Sequence, residues 1–245
     1  MGADGVVFAT PPQANVTVGP FLLDSHEVTV RRFRRWWDAG HPNSVTDVRY
    51  QGGRILTTRD PAREPTQRTG DPRCNWTSSP SSQELHPINC LTFWTALAFC
   101  VWDGGRIPTE SEWEFAARWS PDRPTPRRYP WGNADPACDL VHADGCSGED
   151  GALTLRVGRR PPSGGLFDLE GNVGEWTADS FEIFGPRALC WRGAPLNNPL
   201  CLINLQPHTI RGSSYATVRA AIHSAARVGG AWTAAEPTVG YRCAR

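Results

Sequence analysis

Lysine is missing from this 245-residue chain: all 25 basic residues are arginine. No Schiff-base or general-base lysine is therefore available, and the cationic surface consists of permanently charged guanidinium forks. A GC-rich genome favouring arginine codons is the plainer origin of that bias. Net charge is missing too, because 25 acidic residues balance the arginines. The balance gives no general attraction to nucleic acid or to an anionic membrane and argues against both partners. No apolar run is long enough to span a bilayer, and the start Met1-Gly-Ala-Asp-Gly lacks the basic flank and apolar stretch of a signal peptide. Met1 is then read as a processed or recloned start. No two cysteines have the C-x-x-C spacing of a zinc or thioredoxin-type site.

With 39% apolar residues the chain is long enough for one sizeable core, read as a single domain over residues 1–245. Eleven Trp, 24 Gly and 22 Pro describe a loop-rich domain whose large aromatics plug gaps between irregular segments. Eight cysteines in such a chain fit disulfides and an oxidising compartment, so a secreted, periplasmic or cell-surface location is expected from the cysteines alone.

Residues 1–20 read as extended. Thr29 is a good N-cap for a helix over 30–39, with Phe33, Trp36 and Trp37 inward and Arg31, Arg32, Arg34 and Arg35 on a solvated face. Residues 46–83 are polar, carry Pro and Gly, show no period, and suggest a loop or lid that bears specificity. Thr92 caps a buried helix stopped by Gly104 and Gly105. Thr109 and Glu112 have capping-box spacing and open another helix, with Trp113, Phe115 and Ala116 expected inward. Beyond Trp119 only short extended pieces and turns follow, so the class is α+β with helices first and an irregular sheet after.

Six blocks occur in order: His86-Pro-Ile-Asn-Cys, Gly105-Arg-Ile-Pro-Thr-Glu-Ser-Glu-Trp-Glu-Phe-Ala-Ala-Arg, Tyr129-Pro-Trp-Gly-Asn, Gly171-Asn-Val-Gly-Glu-Trp, Arg211-Gly-Ser-Ser and Gly240-Tyr-Arg-Cys. Together they make the chain resemble the formylglycine-generating, or sulfatase-modifying factor, family. Each block alone is weak; the ordered set is specific. The resemblance implies a loop-rich α+β fold related to the C-type lectin fold, with low regular structure.

Hard cations such as calcium take several oxygens from carboxylates and bent backbone, and Asp168 and Glu175 flank a glycine-broken segment of that kind. The resemblance implies one calcium held at Asp168, Gly171, Val173 and Glu175, and a second at Asp139, Leu140, Asp150 and Ala152. Capping of turns or pairing with arginine is the other use of these carboxylates. Cys138 and Cys146 flank the second set, and a disulfide there would order the same loop without an ion, limiting denatured-state entropy by roughly 2 to 3 kcal/mol. The resemblance also pairs Cys100 with Cys243, and it places a second family bridge where this chain has Ala117 and Ser224. The other six cysteines are most simply joined as neighbours, Cys74 with Cys90, Cys138 with Cys146 and Cys190 with Cys201, one of 15 connectivities.

Catalytic members oxidise a substrate cysteine to formylglycine with oxygen, using copper(I) on two cysteines five residues apart after a Gly-Gly-Ser motif. Soft thiolates suit that ion. Aligned forward from Ser214, those positions hold Thr217 and Ile222; aligned backward from Ala225-Ala-Arg, they hold Ser214 and Arg219. No cysteine lies between Cys201 and Cys243, so no copper and no formylglycine-generating activity are expected. Another branch of the family carries His-x-x-x-His-x-Glu for iron; His26, His41, His86, His142, His208 and His223 do not have that spacing. A triad of Ser213 or Ser214 with His223 stays open, without a nucleophile elbow to support it. Two functions remain. The first is a calcium-stabilised, disulfide-stapled, non-catalytic module binding a protein, peptide or glycan through the former substrate groove, with Ser214, Thr217, Arg219, Trp191 and Trp232 as groove residues or, for the tryptophans, as core plugs. The second is a copper and oxygen-dependent oxidoreductase, or another enzyme in the same groove.

Overall fold

The computed structural model describes residues 1–3, 6, 15–42, 47–57, 64–119, 125–192, 196–203 and 207–245. Three helices carry the N-terminal half. Helix α1, Val30–Asp38, starts where the Thr29 hydroxyl accepts from the Arg32 amide at 3.2 Å. Phe33 and Trp36 are fully buried and meet Trp76 and Phe99 edge-on, with ring centroids 5.4 and 5.9 Å apart. Trp37 is only partly buried. The expected solvated arginine face needs one correction. Arg34 is buried, with its guanidinium 4.4 Å from the Trp76 ring and paired to Glu84 at 2.7 Å. Position 34 lies one turn above buried Val30, so the helical period itself turns it inward.

Helix α2, Phe93–Trp102, is capped by Thr92, and its first eight residues are all buried. It forms the middle of the main core, and Cys100 ties it to Cys243 near the chain end. Helix α3, Glu110–Arg118, opens with a complete capping box between Thr109 and Glu112. Trp113 and Ala117 are buried as an i, i+4 pair, but Phe115, expected inward, is 46% exposed. Glu110, Glu114 and Arg118 occupy the buried face instead, an inward charged row that an apolar-stripe reading misses.

The sheet comes late, as expected. Its strand order is β7-β6-β4-β8: β4 is Gly174–Ser180, β6 His208–Arg211, β7 Arg227–Gly230 and β8 Val239–Gly240. β4 and β6 are antiparallel with Glu175 opposite Arg211, β6 and β7 are antiparallel, and β8 runs parallel to β4. Every residue of β4 is buried. Two short pairs lie elsewhere: β1, Val16–Thr17, with β5, Leu196–Asn197, and the hairpin of β2, Asp47–Arg49, with β3, Ile55–Thr57. The stretch 46–83 is thus not all loop: it contains this hairpin and a 3₁₀ turn beginning at Ser82. Residues 46 and 58–63 lie outside the described residues, as do 4, 5 and 7–14 of the expected extended start. All four anticipated disulfides are present, Cys74 with Cys90, Cys100 with Cys243, Cys138 with Cys146 and Cys190 with Cys201.

Candidate functional site

The segment 211–227 connects β6 to β7 and forms a wall fixed from behind. The buried Arg211 guanidinium donates to the carbonyls of Ser224, Ala225 and Ala226 at 2.9–3.1 Å and pairs with Glu114 at 2.6 Å. Both ends of the segment are therefore clamped to one side chain. Gly212 has φ of 77° and passes so close that a Cβ would lie 2.8 Å from the Leu169 carbonyl oxygen, which demands glycine. Ser213 then donates to Glu170 at 2.7 Å and accepts from the Gly171 amide at 2.8 Å, linking the wall to the loop that precedes β4.

At the positions that the resemblance assigns to the copper thiolates, Thr217 and Ile222, the side chains do other things. The Thr217 hydroxyl accepts from the Ser214 amide at 2.9 Å and sits 3.3 Å from the Ser214 hydroxyl, while its carbonyl accepts from Asp144. Ile222 is buried among Tyr129, Val141 and Ala143, a small satellite core. A hydroxyl held in a turn and a packed hydrocarbon do not fit copper(I), which needs soft donors. With the other alignment, Ser214 and Arg219 are no softer.

The open triad is not assembled. Ser213 is engaged by Glu170 and Ser214 by Thr217, whereas the His223 Nδ1 accepts from the Ala225 amide at 3.0 Å within its own turn. Burial, with the Arg118 and Arg128 charges, lowers the His223 pKa to about 4. Among the proposed groove residues, Arg219 is exposed on this wall, Thr217 is half-buried and Ser214 is buried; Val218, beside Arg219, is exposed as well. Trp191 is not a groove residue: it is 1% exposed and plugs a different satellite core with Phe184, Ala188 and Cys201. Trp232 packs, partly buried, on the main core.

The first carboxylate set lies behind the wall. Asp168, Gly171 and Asn172 have φ of 53°, 84° and 59°, three left-handed residues in five, which bends the chain sharply before β4. Gly171 is required there, because a Cβ would come within 2.5 Å of the His142 carbonyl oxygen. Glu175 is buried and accepts from Arg242 on both oxygens, at 2.7–2.9 Å, and from Trp113 Nε1 at 2.8 Å. Asp168 accepts from the Gly158 amide at 2.6 Å. A third buried carboxylate, Glu27, accepts from the Asn172 side chain at 2.9 Å and from the Val173 amide at 3.3 Å. Burial and the neighbouring Asp168 and Glu175 push the Glu27 pKa well above its ordinary value, and burial raises that of Asp168 to about 6. Three buried carboxylates thus share the one buried guanidinium of Arg242. Oxygen-only donors are the kind that a hard cation takes, but the three carboxylates do not converge on one point, and the Arg242 pair is the competing use of Glu175. Sequence reasoning missed Glu27 and Arg242; the signal for Glu27 was a carboxylate beside Val28 in a stretch bound for the core.

The second set is arranged around side-chain pairs. Asp150, exposed and at φ 53°, accepts from Arg156 Nε at 2.7 Å and lies 3.4 Å from His86 Nε2; the Arg156 bond depresses its pKa. Its carbonyl accepts from Gln83 at 2.8 Å, and Asp139 is exposed. The Cys138–Cys146 bond staples the loop. Among the described residues, the one His, Cys, Asp or Glu trio with converging ligand atoms is Glu182, Cys190 and Cys201, whose two sulfurs are bonded to each other.

Long loops over a short twisted sheet, an Arg-clamped wall and carboxylate-rich turns define a formylglycine-generating type of scaffold related to the C-type lectin fold. The chain belongs to the sulfatase-modifying factor family: residues 1–245 match the sulfatase-modifying factor enzyme 1-like domain. It is 32% identical over 196 residues to a formylglycine-generating enzyme of Thermomonospora curvata, covering 69% of this chain and 62% of that enzyme. It therefore spans about three fifths of that enzyme's length. It is 30% identical over 256 residues to the inactive C-alpha-formylglycine-generating enzyme 2 of Mus musculus, covering 95% of this chain and 77% of the relative. The structure of PvdO from Pseudomonas aeruginosa shares the fold, with a TM-score of 0.65 at 21% identity over 100% of this chain and 88% of that one.

Proposed function

We propose that the chain is a non-catalytic member of its family, an exported, calcium-stabilised and disulfide-stapled domain that binds a protein, peptide or glycan at the wall formed by Ser214, Thr217 and Arg219. The observation that carries this reading is Ile222. Where the family resemblance puts a copper thiolate, a buried isoleucine packs on Tyr129, Val141 and Ala143, and Thr217 closes a turn with Ser214. On this reading the reacting position serves packing, and Arg211 clamps the wall from behind. Exposed Val218 and Arg219 offer an apolar and cationic pair to a partner. Four disulfides suit an oxidising compartment.

Calcium is the cofactor this reading includes, at Asp168 and the Gly171 and Val173 carbonyls, with Glu175 joining if Arg242 yields one oxygen. The support is the surplus charge of Glu27, Asp168 and Glu175 over Arg242. A native-state ligand at a hundredfold excess over its Kd adds about 3 kcal/mol. Chelation should then lower the melting temperature by about 5–10 °C, with calcium restoring it. An unchanged melting curve would contradict the calcium reading. The second reading, an oxidase that converts a protein cysteine to formylglycine, draws on the name of the Thermomonospora relative and would require a copper ligand set other than thiolates.

A further inference from the structure

Gly2 is buried. Its amide donates to both carboxylate oxygens of Glu114, at 2.8 and 3.1 Å, and its carbonyl accepts from Arg118 Nη1 at 2.9 Å. The Met1 side chain packs on the satellite core of Phe184, Ala188, Trp191 and Cys201. Glu114 is in turn paired with Arg118 and Arg211, both at 2.6 Å, and all three charged side chains are at least nine-tenths buried. Glu110, one turn earlier on α3, pairs with Arg227, whose guanidinium lies 3.8 Å from the Phe184 ring centre. A buried carboxylate and a buried guanidinium thus hold the two peptide groups that flank Gly2, beside an apolar wall that receives the side chain before it.

We propose that this cleft between α3 and the Phe184 and Trp191 cluster is a peptide-binding site which the chain fills with its own Met1-Gly2-Ala3, and which takes a peptide of the same chemistry, a long apolar residue followed by glycine, when that segment is displaced. The main-chain polarity of the site dictates this ligand class. An empty cleft removes the Gly2 amide from Glu114 and the Gly2 carbonyl from Arg118, leaving each with fewer hydrogen bonds in a buried place, although Glu114 keeps its pairs with Arg118 and Arg211. An apolar ligand supplies neither group; a peptide supplies both. Glycine is selected because position 2 has φ of 79°, open to glycine and strained for other residues. The site is separate from the wall at Thr217 and Arg219 and does not rest on that reading. It meets the two ends of the wall segment, Arg211, which holds Glu114 on one side and the carbonyls of Ser224, Ala225 and Ala226 on the other, and Arg227, which pairs with Glu110.

The test uses the full chain and its Gly2→Val variant, with the synthetic tripeptide Met-Gly-Ala-amide titrated by calorimetry and by melting. Valine cannot hold the left-handed conformation cheaply, so the variant should melt lower and bind the tripeptide at least about tenfold more tightly than the unmodified chain, whose cleft is already filled. Met-Val-Ala-amide should bind the variant at least about tenfold more weakly than Met-Gly-Ala-amide. A variant that melts like the unmodified chain, or melts lower without gaining tripeptide binding, overturns the proposal. Equal binding by both chains also overturns it, because the tripeptide would then sit elsewhere. Should Gly2→Val fail to fold, Gly2→Ala carries the same comparison with a smaller displacement.

Discussion

His208 shows how far a single buried side chain governs the response to pH. It lies in β6, stacked on Phe93 with ring centroids 3.5 Å apart, and burial lowers its pKa to about 4 from the ordinary 6.5. The folded protein then binds fewer protons than the unfolded chain between those values. Stability is complete above pH 6.5 and is lost as pH falls toward 4, by about 3 kcal/mol for this group. In urea unfolding at pH 7 and pH 4.5, His208→Gln should lose less stability than the unmodified chain by roughly this amount, other shifted groups such as His223 contributing equally to both; the same difference in both chains would contradict the assignment. Residue positions were only partly legible in the sequence. The apolar stripe of α1 could be read from its period, but Arg34, Phe115 and Trp191 could not. Each had two physically sound environments, and tertiary neighbours, Glu84 and Trp76 for Arg34 and Phe184 for Trp191, decided between them.

Elements were legible where a local chemical rule specifies them. The Thr109 and Glu112 spacing announces the start of α3, and both reciprocal bonds of the capping box are present. What the spacing could not announce is that Arg106 donates two further bonds to Glu112, at 2.7 and 2.6 Å, in a buried position. The two halves of the box should therefore differ in weight. Thr109→Ala should cost about 1 kcal/mol, the usual value of an N-cap, whereas Glu112→Ala should cost about 3–5 kcal/mol because it leaves a buried guanidinium unpaired. Denaturant unfolding of the two variants measures the ratio, and equal costs would show that Arg106 finds another partner or water. The hairpin of β2 and β3 was illegible for a simple reason: strands of three residues are too short to display a period. The sharp turn at Asp168, Gly171 and Asn172 was visible through its glycines, and its clasp by Glu27, from 146 residues away along the chain, was not.

Across the whole molecule, closure of the chain end onto the core is the dominant constraint. Cys100 and Cys243 are 143 residues apart, and Ala244 exchanges backbone hydrogen bonds with Arg106 at 2.8 and 2.9 Å. Removing this bond with a double serine variant should cost roughly 5 kcal/mol in the chain-entropy model, about twice the cost of removing the Cys138–Cys146 bond over its short loop. Equal costs for the two bonds in reversible unfolding would show that strain or residual denatured structure, not loop length, sets their contribution. With the wall clamped by Arg211, Thr217 bonded in a turn with Ser214 and Ile222 packed in a satellite core, the molecule has the architecture of its family without a thiolate in segment 211–227. The most direct measurement is incubation of the full chain with a cysteine-containing sulfatase-motif peptide, copper and oxygen, followed by mass analysis of the peptide. The peptide cysteine should be recovered without conversion to formylglycine; formation of formylglycine that depends on the protein would contradict the non-catalytic reading.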